Sequence, residues 1–262
     1  MSVGTHEIAR GVHWLRLGGA NVYFVRTGES WVMIDAGFPG SEAVIAEAAA
    51  ALCRPSGAPE VILLTHGHPD HAGSAVALAD SWNVPALIPE REMPYVDGTA
   101  LYPEPFVSFL RRLLPGRVME TLTARSAHGE AVRPFHPEAG APGLPEWTCV
   151  PTPGHTPGHV AFFRPADRTL ITGDAVLTLA WWSRLGDRGL GWMWDLTRCR
   201  PRLTGPPTIV TCDWRAAAAS IVGLSELDPW VLATGHGIPL AGSRVAPALR
   251  DFATLVRAQE TP

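Results

Sequence analysis

The first third of the chain is a succession of short apolar runs separated by turn residues. Val12 to Leu17, Asn21 to Arg26 and Trp31 to Ile34 predict three strands, with turns at Gly18–Gly19 and Gly28–Glu29. A helix follows, with Ser41 as its expected cap and Val44, Ile45, Ala48 and Leu52 approximating an apolar stripe. Pro55 and Gly57 stop it. Val61 to Leu64 is uniformly apolar, which predicts a strand covered on both faces rather than an exposed edge. His71 through Ala79 reads as helix and Val84 to Ile88 as another strand, so strand and helix alternate after an antiparallel opening.

From about residue 91 to 146 the rhythm weakens. EPFVSFLRRLL predicts a helix with Phe106, Phe109, Leu110 and Leu113 facing inward. PFHPEAGAPGLPEW, broken repeatedly by proline and glycine, predicts a loop that either covers a cleft or makes a surface excursion. Strands return at Trp147–Val150, Val160–Phe163 and Thr169–Thr172. Asp213 is a suitable cap for a helix over Ala216 to Leu227, Trp230 to Ala233 is a further strand, and a last helix runs near Val245 to Ala258. The pattern predicts an α/β chain of mixed sheets covered by helices. It forms a single domain over residues 1–262, with a less regular excursion at about 95–146.

Composition narrows the function classes. The 262 residues are 46% hydrophobic and 18% charged, with a formal net charge of -4, and all 21 basic side chains are arginine. This mild acidity, with no concentrated basic tract, argues against a nucleic-acid partner. Cys53, Cys149, Cys199 and Cys212 are widely separated and form no CxxC pair, so unreactive thiols are expected at each. No apolar run approaches membrane-spanning length, and the opening MSVGTHEIAR holds no apolar signal core. Cytoplasmic residence without membrane attachment is the expectation.

The densest chemistry lies in THGHPDHAG, directly after the apolar run ending at Leu64. His66 and His68 are two apart, so in extended backbone both imidazoles face one side and approach one ion. Asp70 and His71 follow at a turn and helix start, where the change of direction sends their side chains to a second nearby position. A single zinc ion takes about four ligands in tetrahedral geometry and would be crowded by this set. Two ions make the compact loop coherent.

Three later strand ends carry matching groups: His155 in PTPGHTPGH, Asp174 in TLITGDAV and His236 in VLATGHG. Each has a glycine neighbour that permits close backbone approach. The two oxygens of Asp174 suit it to bridge two cations. A lone histidine is ordinarily a hydrogen-bonded structural group, but burying seven such side chains without metal requires a partner for each. His159 is open between orienting a metal ligand and simple packing. His6, His13, His128 and His136 belong to no such multi-loop set, although His128 and His136 are candidates for lining a cleft.

With HxHxDH present as His66, His68, Asp70 and His71, the sequence resembles the metallo-β-lactamase superfamily. GGANVYFVRTGESWVMIDAG, from Gly18 to Gly37, is similar to that family's opening hairpins, and the resemblance covers nearly the whole chain. It implies an αββα sandwich, two facing mixed sheets with helices outside and metals at one edge. It also implies that His66, His68 and His155 hold metal one, that Asp70, His71 and His236 hold metal two, and that Asp174 bridges them. Asp35 becomes a structural acid beneath the site. The implied cofactors are two divalent ions, with zinc expected for hydrolysis and iron or manganese compatible with the same donors.

The activity implied is hydrolysis of a small or medium acyl substrate, a lactone or ester foremost, through a hydroxide held between the cations. Asp174 serves as the bridge, and Asp70 is a candidate for proton transfer to the leaving group. The alternatives are a glyoxalase II-like thioesterase, an iron-dependent persulfide dioxygenase, and an inactive ligand-binding protein. Lactonases of the family often place a tyrosine shortly after the bridging aspartate, where this chain has Leu177 and Thr178. Trp181, Trp182, Trp192, Met193 and Trp194 are equally suited to an apolar substrate wall and to core packing. Arg184, Arg188 and Arg198 are candidates for contact with a substrate anion, against the default of surface arginines. The sequence leaves the oligomeric state open.

Overall fold

The computed structural model describes residues 4–55, 57–104, 131–178 and 203–260. The expected helix at EPFVSFLRRLL, the Trp-rich stretch from Trp181 to Trp194, the three arginines, His128 and Cys199 lie outside those residues.

One sheet has seven strands in chain order: β1 (His6–Ala9), β2 (Val12–Leu17), β3 (Ala20–Thr27), β4 (Ser30–Ile34), β5 (Val61–Leu63), β6 (Ala86–Pro89) and β7 (Val132–Phe135). Its first four strands pair antiparallel, and β4 through β7 pair parallel. The second sheet runs in the order β12 (Leu240–Ala241), β11 (Val231–Ala233), β10 (Thr169–Ile171), β9 (Val160–Arg164), β8 (Thr148–Pro151). Only its β10–β11 pair is parallel.

The side-chain period of two sorts the apolar residues into layers. Val22 and Phe24 of β3 and Met33 of β4 face outward, where they pack on Ile45 and Ala48 of α1 (Glu42–Leu52) and Leu78 of α3 (Ala75–Trp82), which follows the short α2 (Pro69–Ala72). The alternate residues Tyr23, Val25, Val32 and Ile34 face inward, against Val160 and Phe162 of β9 and Ile171 of β10. On the far side of the second sheet, Ala161, Phe163 and Leu232 pack on two helices later in the chain. Ile221 and Leu224 come from α5 (Trp214–Ser225), and Leu249 from α6 (Val245–Glu260); α4 is the short Met93–Val96. The arrangement is the αββα sandwich, and it covers both faces of β3 over Ala20–Val25 and of β9.

Several local expectations are refined. Ser41 sits at the cap position of α1, but its side chain makes no capping bond. Asp213 does cap α5, accepting from the Ala216 amide at 3.0 Å. The helix expected over His71 to Ala79 is two short helices broken at Gly73–Ser74. The loop from Phe135 to Trp147 is anchored in the core at both ends and in its middle. Phe135, Leu144 and Trp147 enter the core between the sheets, and a Cβ on Gly143 would lie 3.0 Å from Val32 and Val61. Val61 begins β5, at the end opposite the histidine loop, so the chain runs from Phe135, paired with Pro89 at the metal-side end, to Gly143 at the far end. His136 is exposed just after β7 and pairs with Glu90 at 2.8 Å, in the turn that ends at Glu92. Among the described residues, no helix is long and apolar enough to cross a membrane.

Candidate metal centre

Four strand ends meet at one edge of the sandwich. β5 delivers His66 and His68 and then turns into α2, with Asp70 and His71; the β8–β9 connection carries His155, the end of β10 carries Asp174, and the end of β11 carries His236. Ligand-capable atoms of His66, His68 and His155 lie within 4.8 Å of one another, as do those of Asp70, His71 and His236. A third group, His66, His71 and Asp174, joins the two. Asp174 stands between the triads: Oδ1 is 3.3 Å from His71 Nε2, while Oδ2 is 3.5 Å from His155 Nε2 and 3.2 Å from His236 Nε2.

Hydrogen bonds on the far side of four imidazoles decide which nitrogen faces this centre. His71 Nδ1 donates to Asp35 Oδ2 at 2.8 Å, and His236 Nδ1 to the Gly19 carbonyl at 2.6 Å. Thr65 Oγ1 donates to Asp35 and therefore accepts from His66 Nδ1 at 3.0 Å. Thr211 Oγ1 donates to the Pro207 carbonyl and so accepts from His155 Nδ1 at 3.4 Å. Each Nε2 thereby faces inward, with a lone pair at His66 and His155 and against the Asp70 and Asp174 carboxylates at His71 and His236, the arrangement in which outer partners orient a ligating histidine.

These donors fit metal ions. His66 Nε2, His155 Nε2 and Asp174 Oδ1 are buried with no hydrogen-bond partner among the described residues, which is costly unless something electropositive answers them. Burial pushes the His155 pKa down to about 3 and that of His68 to about 4, so both are neutral and available as ligands. His236 behaves oppositely. Burial disfavours its charge, but Asp174 and Asp70 overcome that and push its pKa up to about 10. The second triad therefore holds positive charge on its imidazoles, a charge that a cation replaces. Nitrogen and oxygen donors without thiolate suit zinc, iron or manganese. The two adjoining triads form a dinuclear metal-binding centre.

The glycines leave room for it. A Cβ on Gly235 would lie 2.1 Å from Asp174 Oδ1, and one on Gly173 would lie 2.7 Å from His159 Nε2. His159 orients a ligand through the main chain: the Asp174 amide donates to its Nε2 at 3.0 Å, and its Nδ1 meets Thr152 Oγ1 at 2.7 Å. Asp35, at φ 60, accepts from the Thr65 amide at 2.8 Å as well as from His71, as expected of an acid beneath the site. His6 and His13 lie beside Trp14 and Trp31 on the first strands, away from the centre.

Sequence reasoning missed the residues that hold these loops. Asn21 Nδ2 donates to the carbonyls of Thr234 and Gly237 at 2.7 and 2.9 Å, and Tyr23 Oη to that of Thr234 at 2.7 Å, fixing the His236 loop from the opposite sheet. Thr65, Thr211 and Glu92 were missed too. The one available signal was that polar Asn21 and Tyr23 occupy an otherwise apolar strand.

Comparison with known proteins agrees with this geometry. A family model described as the metallo-beta-lactamase superfamily matches residues 15–236. The chain is 39% identical over 258 residues to the "Probable metallo-hydrolase YflN" of Bacillus subtilis (strain 168), covering 94% of this chain and 91% of that one. Among solved structures, a metallo-beta-lactamase family protein, TTHA1429 from Thermus thermophilus, superposes with a TM-score of 0.64 at 18% identity, covering 97% of this chain and 80% of that chain. TTHA1623, solved in a di-iron-bound form, gives 0.54 at 26% identity over 85% of this chain and 89% of that chain. By fold, by the HxHxDH loop and by the extent of the match, this chain belongs to the metallo-β-lactamase superfamily.

Proposed function

We propose that this metal-dependent hydrolase uses two metal ions, zinc foremost, to open a small or medium acyl substrate, most readily a lactone or ester. In this reading His66, His68 and His155 hold metal one, Asp70, His71 and His236 hold metal two, and Asp174 bridges. The observation that carries it is the pair of triads joined through Asp174, with the buried Nε2 atoms of His66 and His155 without a hydrogen-bond partner among the described residues.

Such ions supply an activated water and a polarised carbonyl. The protein's own work is positional. Asp35, Thr65, Thr211 and Gly19 fix the imidazole tautomers, and the His159 ring holds the Asp174 main chain. Asp70, partly exposed where the other ligands are buried, is the proposed relay for the proton that reaches a departing alkoxide. As a carboxylate it must first accept that proton, because, against burial, His71 and His236 hold its pKa well below the usual carboxylate range. Three exposed apolar side chains support an apolar substituent on the substrate. Phe38 (45% exposed) lies by Gly19, Ile238 (50%) follows His236 by two residues, and Leu101 (53%) precedes Tyr102, whose ring meets that of His68. Both sheets contribute to the centre, in keeping with a single domain. Cys149 and Cys212 are thiols, in keeping with the cytoplasm.

The test is a panel of lactones, esters and thioesters run on protein whose metal content is quantified by mass spectrometry. Turnover of lactones or esters that tracks two metals per chain is the expected result. Preference for thioesters would move the reading to the glyoxalase II-like alternative. The di-iron form of TTHA1623 supports iron as the alternative metal at this pair of sites. A single iron per chain with sulfite production from persulfides would replace hydrolysis with that chemistry.

A further inference from the structure

Between β6 and β7 lies a buried acid that takes no part in the chemistry above. Glu92 ends the 3-10 turn Glu90–Glu92 and is 0% exposed. Its carboxylate reaches two loops of the metal centre at once. Oε1 accepts from the Gly158 amide at 2.6 Å, and Oε2 accepts from the Gly67 amide at 3.0 Å and the Tyr102 hydroxyl at 2.6 Å. Gly67 is the residue between His66 and His68, while Gly158 lies between His155 and His159.

Both glycines are required by this contact. A Cβ on Gly67 would lie 2.5 Å from Tyr102 Oη and 2.5 Å from Val96 Cγ2. One on Gly158 would lie 2.8 Å from the Glu92 backbone nitrogen. Tyr102 closes the unit, its ring edge-on to His68 at 4.9 Å between centroids. Gly158, Gly67 and Tyr102 all donate to Glu92, Thr156 acts on it in the same sense, and none of the ion pairs among the described residues includes it, so backbone dipoles and hydroxyls stand against the burial of its carboxylate. A buried charge held in this way is strongly directional: it specifies where two amides stand relative to each other.

Those amides belong to different sheets. His66 and His68 follow β5 of the first sheet, and His155 precedes β9 of the second. Near the centre, the loops also meet where the Val160 amide donates to the Thr65 carbonyl at 3.1 Å. The second triad is tied elsewhere, through Gly19, Asn21 and Tyr23. We propose that Glu92 is a positioning residue for metal one: by stapling the Gly67 and Gly158 amides to one carboxylate it sets the spacing of His66 and His68 against His155. The inference rests on reading those three histidines as metal ligands.

The test uses the full-length protein, stripped by chelator and titrated with zinc against a chromophoric competitor, and with cobalt(II) for its absorption bands. In E92Q the side-chain amide turns its N–H groups toward one of the two backbone amides, donor against donor. Metal-one affinity should fall about 10- to 100-fold, as outer partners of ligands typically require, with altered cobalt bands and unchanged metal two. The loss should persist in an H236A background and vanish in H155A. Y102F, which keeps the carboxylate and removes one donor, should shift metal one in the same direction by less, and it carries the test if E92Q does not fold. Unchanged affinities and cobalt bands in E92Q, even with lowered thermal stability, would make Glu92 merely structural and overturn the inference; so would an unchanged Y102F where E92Q cannot be made. Wild-type protein that takes up no metal would instead overturn the ligand reading itself.

Discussion

Asp35 Oδ2 accepts a hydrogen bond from His71 Nδ1 at 2.8 Å, both groups buried, joining the end of β4 to the first turn of α2. This contact directs His71 Nε2 toward Asp174 and Asp70. Replacing Asp35 with asparagine keeps the shape but removes the charge and half of the acceptor capacity. Metal two should bind about 10- to 100-fold more weakly, with metal one less affected. Stepwise metal titration of D35N checks this, and equal affinities for wild type and variant would remove Asp35 from the centre's support.

The bridging position of Asp174 predicts an asymmetry among ligand variants. H66A should weaken metal one and leave metal two largely in place. D174A should lower occupancy of both and abolish most turnover. Metals per chain must be measured beside circular dichroism, because lost activity alone also follows from unfolding. A D174A protein that kept both metals and its normal rate would contradict the bridge.

Gly235 offers a cleaner perturbation, since a methyl group there collides first with the Asp174 carboxylate at 2.1 Å and then with His71 at 2.8 Å. G235A should lose metal affinity out of proportion to its loss of thermal stability in chelator. Comparing melting temperatures with and without metal separates the two effects. A large drop in the chelated protein with metal affinity intact would place the strain in the backbone instead.

Proton competition should divide the two sites. Metal uptake requires unprotonated ligands. Asp174 and Asp70 outweigh burial and raise His236 to about 10, so near neutral pH a cation at the second triad must displace its proton. Affinity there should rise about tenfold per pH unit for each proton displaced, up to the pKa of about 10. At the first triad burial holds His68 near 4 and His155 near 3, already neutral, so its affinity should be nearly flat above pH 6 or so. Calorimetry in buffers of different ionisation enthalpy counts the protons released. No release on filling the second site at neutral pH would contradict the raised His236.

Chelation should also destabilise the fold. A ligand at about a thousand times its dissociation constant stabilises by about 4 kcal/mol, and removing it leaves His66 Nε2 and His155 Nε2 buried without a partner. Thermal unfolding with and without chelator measures the difference. A melting temperature indifferent to chelator would count against a tightly held metal.

Much of the centre was legible in the chain because its logic is local. Two histidines two residues apart on an extended backbone must face one side, and a strand end followed by Gly-Asp or Gly-His marks where a sheet presents a side chain. The uniformly apolar run of β5 likewise announced a strand covered on both faces. The elements that escaped notice were weakly patterned. Strand β1 is short and half-exposed, β12 has two residues, and β7 carries Pro134, which suits the edge strand that it forms.

By itself, then, the amino-acid order pointed to mixed sheets covered by helices and to seven candidate side chains at strand ends, since both follow from period, spacing and turn chemistry within a few residues. The αββα layering and the grouping of the seven came through the family resemblance. Only the tertiary structure decided which imidazole nitrogen faces inward, that Glu92 joins two distant loops at Gly67 and Gly158, and that Leu144 and Trp147 of the proline-rich segment enter the core between the sheets. The physical reason is that such partners are chosen by sheet order and loop packing, and a hydrogen bond between distant residues leaves no periodic trace in the chain.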